Sequence, residues 1–385
     1  MTQRDVGVIF NGATGRLAQH QHLRNALMPI IAEGGIPAAN GDRISPRLLL
    51  VGRDSARLKA VSDATGILDY TTDLNGALDD KSYSVYFDVA STGGRAERLR
   101  RAIAAGKHIY TDKPLAGSLA EAVEVVQLAE QAGCKHGMVV DKIFLPGLIK
   151  LKQLFEQDFF GRVLSIRLEF GWWIFDGETQ PGQRASWNYQ KDRGGGLALD
   201  MFPHWSYIIE HLAGRPTGIY CETTRHIPQR WDETGTRYDV DVEDAAYALM
   251  DLDNGAKVQV LTSWSTRIRR DDMMTIQVDG TLGSAVASLR DCWTQTLSET
   301  PTPTWPQLDV KRPRADHFSE WTLAPGPEDA PPSFRVGWEA YLRHISDDAA
   351  FSFPLQVGAR ALNLIEVAYR SAAEGRRFDV PALEI

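Results

Sequence analysis

The chain has 385 residues, enough for two or three domains, and its 43% hydrophobic and 24% charged residues are the balance of a folded globular protein, not a disordered one. With 42 basic and 50 acidic residues the net charge is −8, which lacks the basic surplus that duplex nucleic acid requires, so no nucleic-acid partner is expected. Cys134, Cys221 and Cys292 lie too far apart for a disulfide framework or a paired-cysteine metal site, and no apolar run nears the ~20 residues that span a bilayer, so a cytoplasmic protein without membrane contact is expected.

In chain order, VGVIF (6–10) reads as a buried strand, followed by a glycine-bearing turn and a helical pattern over 15–33 with Leu17, Leu23, Ala26, Leu27, Ile30 and Ile31 near one face. GGIPAANGDRISP is a loop by its Gly, Pro and Asn content, RLLLVG (47–52) a second strand, and SARLKAVSDATG a short helix stopped by glycine. VYFDVA (85–90), a helix through RAERLRRAIAAG, HIY (108–110), a helix over 118–133 opened by Ser118, and GMVV (137–140) continue the alternation. Strands alternating with helices predict a parallel, doubly wound α/β sheet, a Rossmann domain over residues 1–142. Beyond residue 143 a helix (146–156) leads into VLSIRLEF, TGIYCET, AAYALMDL, KVQVLTSWST, MMTIQVD and SAVASL, joined by turns such as DNG (253–255). That pattern predicts an α+β domain with a large antiparallel sheet over 143–385. The proline-rich stretch 300–332 reads as a long loop, and helical patterns at 333–348 and 356–374 close the chain.

After the first strand, Asn11-Gly12-Ala13-Thr14-Gly15-Arg16 matches two of the three glycines of the dinucleotide fingerprint, with Phe10 in the first place. Such glycines let the backbone approach a pyrophosphate seated on the helix N-terminus. At the end of the second strand, where NAD-binding chains carry an acid for the ribose 2′-hydroxyl, stands Gly52-Arg53-Asp54. Arg53 can bind a 2′-phosphate, stack on adenine or face solvent, so NAD is favoured and NADP stays open. Lys113, in Asp112-Lys113-Pro114 after the fourth strand, is at the sheet edge where ligands bind, and can polarise a carbonyl or hydroxyl oxygen. Asp200 and His204 stand at i and i+4, one helix face, with Pro203 between them expected to start or kink the helix. His204 is suited to removing a hydroxyl proton near neutrality, with Asp200 orienting its ring or binding another hydroxyl. His20 and His22 fall on different helix faces, so no metal site is expected.

GATGRL, TDKPLAGSLAEA and GGGLALDMFPHWSYIIEHLAG, in that order, resemble the glucose–fructose oxidoreductase/inositol dehydrogenase (Gfo/Idh/MocA) family of NAD(P)-dependent sugar dehydrogenases. The resemblance implies that Lys113 is the catalytic lysine, His204 the residue that exchanges the sugar proton, and Asp200 its partner. It further implies cofactor contacts from Asn11, Gly12, Thr14, Gly15, Arg16 and Leu17, from Arg53, from Ser91 and Thr92, and from Asp112 and Lys113. Asp112 replaces the family's usual glutamate, Tyr207 stands where many relatives carry aspartate, and Lys142 where many carry arginine. FGWWIFDG, DKIFLPGL and QRASWNYQKDRGGG are similar to dehydrogenases of trehalose and disaccharide utilisation, which implies 3-keto-glycoside chemistry.

Trp172, Trp173, Trp187 and Tyr189, with Arg184 and Asn188 interleaved, suit a sugar's apolar faces and hydroxyls, although such aromatics also pack interfaces. HIPQRWDE (226–233) is expected to be a loop that offers Arg230. Arg267 and Arg269, two apart, would share one strand face as an anion clamp or as an edge device. The expected function is NAD-dependent oxidation of a secondary hydroxyl, C3 of a sugar or glycoside. The alternative is an NAD-dependent glycosidase working through a transient 3-keto intermediate, with an anionic sugar such as a sulfoquinovoside as a variant and Tyr189 or Tyr207 as its C2 base. A homo-oligomer is expected, since a sheet covered on one side leaves its other face to bury.

Overall fold

The computed structural model describes residues 2–270, 272–299, 317–327 and 330–385. The chain divides into two compact units, the first made of residues 1–144, 331–366 and 383–385, the second of 145–330 and 367–382.

In the first unit, strands β1 (Gln3–Asn11), β2 (Ile36–Pro37), β3 (Arg43–Val51), β4 (Tyr70–Thr71), β5 (Val85–Asp88), β6 (His108–Thr111) and β7 (His136–Met138) form one sheet of order β2-β3-β1-β5-β6-β7, with β4 on β3. All pairings are parallel except β2 with β3, because helices make the connections. These include α1 (Met28–Ala32), α2 (Ser55–Thr65), α3 (Leu74–Asp79), α4 (Arg95–Ala104) and α5 (Leu119–Gln131). Asp54, Asp73 and Ser118 cap α2, α3 and α5 by accepting from backbone N–H groups three residues on. From β1 the chain runs to β3 on one side and later to β5 on the other. The C-terminal ends of β1 and β5 therefore flank the switch point where such sheets bind ligands.

The helix expected over 15–33 is of two kinds. Ala18–Leu27 winds as a π-helix, with the Met28 N–H on the Leu23 carbonyl five residues back, before α1 resumes the ordinary winding. The wider winding buries Ala18, His22, Leu23, Ala26 and Leu27, while Leu17 is left 40% exposed. The strand expected at 47–52 begins at Arg43, inside the expected loop, because Ile44 pairs with Ile36 of β2. The two-residue β4 and six-residue α3 are too short to carry a periodicity.

The second unit opens with α6 (Pro146–Glu156), β8 (Val163–Gly171), α7 (Leu197–Leu212) and β9 (Pro216–Thr224). There follow β10 (Gln229–Trp231), β11 (Arg237–Asp239), β12 (Ala245–Leu252), β13 (Lys257–Ser263), β14 (Met274–Gly280), β15 (Gly283–Ala287), β16 (Cys292–Thr296), β17 (Thr322–Leu323) and β18 (Phe378–Asp379). Nine strands form one sheet of order β17-β16-β15-β14-β8-β13-β12-β9-β18, antiparallel throughout except β8 with β13. Ile166, Leu168, Ile276 and Val278 of one face meet Phe155 of α6 and Ile208, Ile209 and Leu212 of α7. β10 and β11 form a separate two-stranded ribbon where HIPQRWDE was expected to be a loop. The strand KVQVLTSWST stops at Ser263, so Arg267 and Arg269 lie beyond it and share no strand face. Of the loop expected over 300–332, residues 300–316 and 328–329 lie outside the described residues, while β17 adds to β16.

Two helices end the chain, α8 (Ser333–Asp347) and α9 (Leu355–Glu374). Although 143–385 was expected to form one domain, α8 and the first part of α9 belong to the first unit. A parallel sheet needs cover on both faces, and α8 supplies an aromatic lid. Trp338 lies edge-on to Phe87 and Tyr110, Tyr341 stacks on Tyr110 at 4.3 Å, and the Tyr341 hydroxyl donates to Ile109 O at 2.8 Å. The Trp338 Nε1–H donates to Nδ1 of the fully buried His22 at 3.0 Å. Among the described residues no helix is long and apolar enough to cross a membrane.

Burial lowers the His22 pKa from 6.5 to about 3, so the ring stays neutral and keeps accepting from Trp338. An unfolded His22 takes a proton as pH falls through about 6.5, and the folded one does not until about 3, so this ring penalises the fold progressively between those values. His22→Gln keeps an acceptor but does not titrate. Its urea midpoint should fall less between pH 7 and pH 5 than that of the wild type, and equal falls would show that His22 plays no part in acid sensitivity.

Candidate active site

The glycine turn is shaped by its own hydrogen bonds. Gly12 and Ala13 N–H both donate to Val51 O, and Gly15 N–H donates to Gly12 O. Gly12 has φ +92°, and a Cβ there would stand 2.5 Å from the Ala90 nitrogen, so only glycine fits. Phe10, where the first fingerprint glycine would be, is fully buried with its ring 4.9 Å from that of Phe87, which makes this position core. The tight turn, the close backbone approach and the helix beginning at Arg16 fit a dinucleotide pyrophosphate. Thr14 O accepts from Gln19 Nε2 and from Arg57 Nη2 on α2, a contact with no signal in the sequence. Arg53 is exposed, and Asp54, the nearest acid, is occupied in capping α2.

The ends of β1, β5 and β6 are tied by one buried carboxylate. Asp88 accepts from Arg95 Nε (3.3 Å), Arg98 Nε (2.7 Å), the Tyr86 hydroxyl (2.8 Å) and Asn11 Nδ2 (3.3 Å). Arg95 also donates to Ala90 O, Asp112 O and Pro114 O, so it grips the segment carrying Lys113. Arg98 Nη2 donates to Ser91 O, and Arg95 N–H to Thr92 O. Burial pushes the Asp88 carboxyl up, but Arg95 and Arg98 outweigh it and hold the group below the usual carboxylate range. Asp112 is buried and accepts the Lys113 N–H at 2.8 Å, so its short arm folds onto its own chain, and burial raises its pKa. Lys142 pairs with Asp141 at 3.1 Å.

In the second unit, glycines let α7 start in a crowded place. A Cβ on Gly195 would lie 2.5 Å from Asn188 O, and Gly196 has φ +130°. Glu243 Oε1 accepts from Ala198 N–H and from the Tyr369 hydroxyl, anchoring the first turn. Pro203 sits inside α7 and does not start it, because the helix begins six residues earlier. Asp200 is in the first turn and pairs with Arg184 Nη2 at 2.5 Å. The same nitrogen donates to Asn188 Oδ1 at 2.9 Å, and the guanidinium lies 4.2 Å from the Trp264 ring. His204 Nδ1 meets the Tyr207 hydroxyl at 2.9 Å.

The remaining candidates divide by exposure. Trp173 and Trp187 are 37% and 42% exposed, and Trp172 packs edge-on to Phe175. Tyr189 is buried and donates to Phe175 O at 3.0 Å, so it is not placed to act as a base. Arg230, expected in an open loop, is 1% exposed, paired with Asp244 at 2.8 Å, and stacked over Tyr189. It holds the ribbon to the sheet. Arg267 is held by Asp176 and Glu178, which is no open anion clamp. Arg269 lies over Trp173 at 5.2 Å. Asp88 and Arg95 belong to none of the sequence motifs, and Trp264 stands out in the sequence only as a residue of the sheet. An acid at a strand end followed seven residues later by arginine was the one available signal.

Residues 45–140 match the family model of the oxidoreductase family with an NAD-binding Rossmann fold, and residues 148–286 match that of the GFO/IDH/MocA C-terminal domain. A D-xylose dehydrogenase of Paenarthrobacter nicotinovorans is 40% identical over 385 residues, 99% of this chain and 98% of that one. D-xylose 1-dehydrogenase (NADP(+)) 2 of Haloferax volcanii is 25% identical over 217 residues, 56% of this chain and 61% of that one. Among solved structures, levoglucosan dehydrogenase in complex with NADH and levoglucosan superposes with a TM-score of 0.81 at 20% identity, covering 98% of this chain and 100% of that one.

Asp88→Asn would leave Arg95 and Arg98 without their counter-charge. The variant should lose about 3–5 kcal/mol of unfolding free energy in urea, the cost of breaking a buried pair from one side. A loss under about 1 kcal/mol would mean that the arginines relax to solvent and that the hub is not structural.

Proposed function

The chain belongs to the Gfo/Idh/MocA oxidoreductase family, and on that premise we propose that it is an NAD-dependent dehydrogenase of an uncharged sugar. The observation that carries this reading is the end-to-end similarity to a D-xylose dehydrogenase, in a chain that keeps Lys113, Asp200 and His204. Bound nicotinamide supplies the hydride acceptor. His204 takes the proton of the hydroxyl being oxidised, and Lys113 donates a hydrogen bond to that oxygen and offsets its developing charge. Asp200, oriented by Arg184, accepts from a neighbouring sugar hydroxyl, and the exposed faces of Trp173 and Trp187 cover the ring's CH surfaces.

The basic side chains support an uncharged substrate. Arg184, Arg230, Arg267 and Arg270 pair with Asp200, Asp244, Asp176 together with Glu178, and Glu169, respectively. To meet one of these four arginines, a sulfonate or carboxylate on the sugar would have to displace its acid. Neither tyrosine considered as a C2 base supports the glycosidase alternative, since Tyr189 donates to a carbonyl and Tyr207 meets His204. We also propose a homo-oligomer. Tyr247 and Leu261, paired across β12 and β13, and Leu249 leave an apolar patch 36–58% exposed on the open sheet face.

The test is NADH formation with D-xylose, D-glucose, their methyl glycosides and a sulfonated glucoside. Oxidation at C3, as the motif resemblance implies, proceeds with a methyl glycoside. Oxidation at the anomeric carbon cannot, because that hydroxyl is blocked. Lys113→Ala should lower kcat at least about a hundredfold with NAD affinity nearly intact. Methanol release without net NADH, or a preference for the sulfonated sugar, would overturn the reading. Light scattering should report more than one chain per particle, and a single-chain mass would remove the oligomer.

A further inference from the structure

We infer that Tyr207 is the positioning residue of His204, holding the imidazole proton on Nδ1 so that Nε2 is bare. The inference rests on His204 being the base of the proposed reaction. The two residues are three apart on α7, the spacing at which helical side chains meet, and the Tyr207 hydroxyl oxygen lies 2.9 Å from His204 Nδ1. Their exposures are 7% and 4%, so solvent has little access to that hydrogen bond. The rings cross at 81° with centroids 5.6 Å apart, which brings the hydroxyl to the edge of the imidazole and not over its face.

A neutral imidazole has one N–H and one bare nitrogen, and the hydrogen bond at one sets the state of the other. A base must turn its bare nitrogen to the proton it removes. With the Tyr207 oxygen accepting from Nδ1–H, Nε2 carries the lone pair. Once Nε2 has taken the sugar proton, Nδ1–H still donates to the same oxygen, so the ring keeps its place through the transfer. Asp200, one turn earlier, pairs with Arg184 at 2.5 Å. Tyr207 orients the ring through a neutral oxygen.

The experiment compares wild type, Tyr207→Phe and His204→Asn as full-length holoenzymes, with the most active sugar of the panel. Nitrogen-15 spectra of ring-labelled protein, with His204 assigned by its loss in His204→Asn, report which nitrogen carries the proton. In the wild type Nδ1 should be protonated and Nε2 bare. In Tyr207→Phe the two tautomers should mix, kcat should fall roughly tenfold to a hundredfold, and KM for sugar and NAD affinity should stay within about threefold. A kcat within threefold of wild type, or an unchanged tautomer signal, would overturn the positioning role. If Tyr207→Phe does not fold, the wild-type spectrum alone decides, since a protonated Nε2 contradicts the inference. His204→Asn retaining a tenth or more of wild-type kcat would instead overturn the assignment of His204 as base, which is a separate failure.

Discussion

The carboxylate of Asp88 is the point on which the nucleotide-binding unit depends. A charge at 0% exposure is sustained only by partners, and Asp88 has two arginines, a phenol and an amide. Those partners are themselves committed. Asn11 ends β1 and enters the glycine turn, Arg98 holds the turn after β5 at Ser91 and Gly93, and Arg95 holds the carbonyls on either side of Lys113. One buried charge thus sets the positions of three strand ends that come from distant parts of the sequence. The site segments lie where a parallel sheet exposes its C-terminal edges, and the ion pair keeps that edge in a single arrangement.

The second unit solves a similar problem with several smaller pairs. Long side chains are costly to hold in one rotamer. Arg184 is fixed between Asp200, Asn188 and Trp264, and in turn it fixes Asp200. Arg230 is spent on Asp244, a residue whose carboxylate also accepts from the His226 and Ile227 N–H groups and so holds the turn leading into β10. Charges arranged this way hold one another in a single rotamer.

Much of the organisation was legible in the sequence because it is local. Residues 6–10, 85–88 and 108–110 are short runs rich in β-branched or aromatic residues between helical segments, the signature of buried parallel strands, and the later strand-like runs joined by turns such as DNG (253–255) announce the antiparallel sheet. The misreadings share a cause as well. The π-helix at Ala18–Leu27 has an apolar pattern that an ordinary helix would also show, and its buried His22 accepts from Trp338, a residue more than three hundred positions away. Arg230 and Arg267 look like ligands in one dimension because arginine beside aromatic residues is what a sugar site contains. Their carboxylate partners, Asp244, Asp176 and Glu178, are separated from them by up to ninety-one positions.

The sequence by itself determined the class of the fold and the glycine turn, and it singled out Lys113, Asp200 and His204 as candidates, since periodicity, turn chemistry and motif order are properties of neighbouring residues. Only the tertiary structure decided what those residues are attached to. It placed Asp88 under the strand ends, returned α8 to the nucleotide-binding unit, gave Asp200 to Arg184, and set Tyr207 against His204. The reason is physical. A backbone pattern follows from local sterics and burial, whereas the partner of a charged or hydrogen-bonding side chain is whichever group the folded chain brings within about 3 Å, and that depends on every element between them.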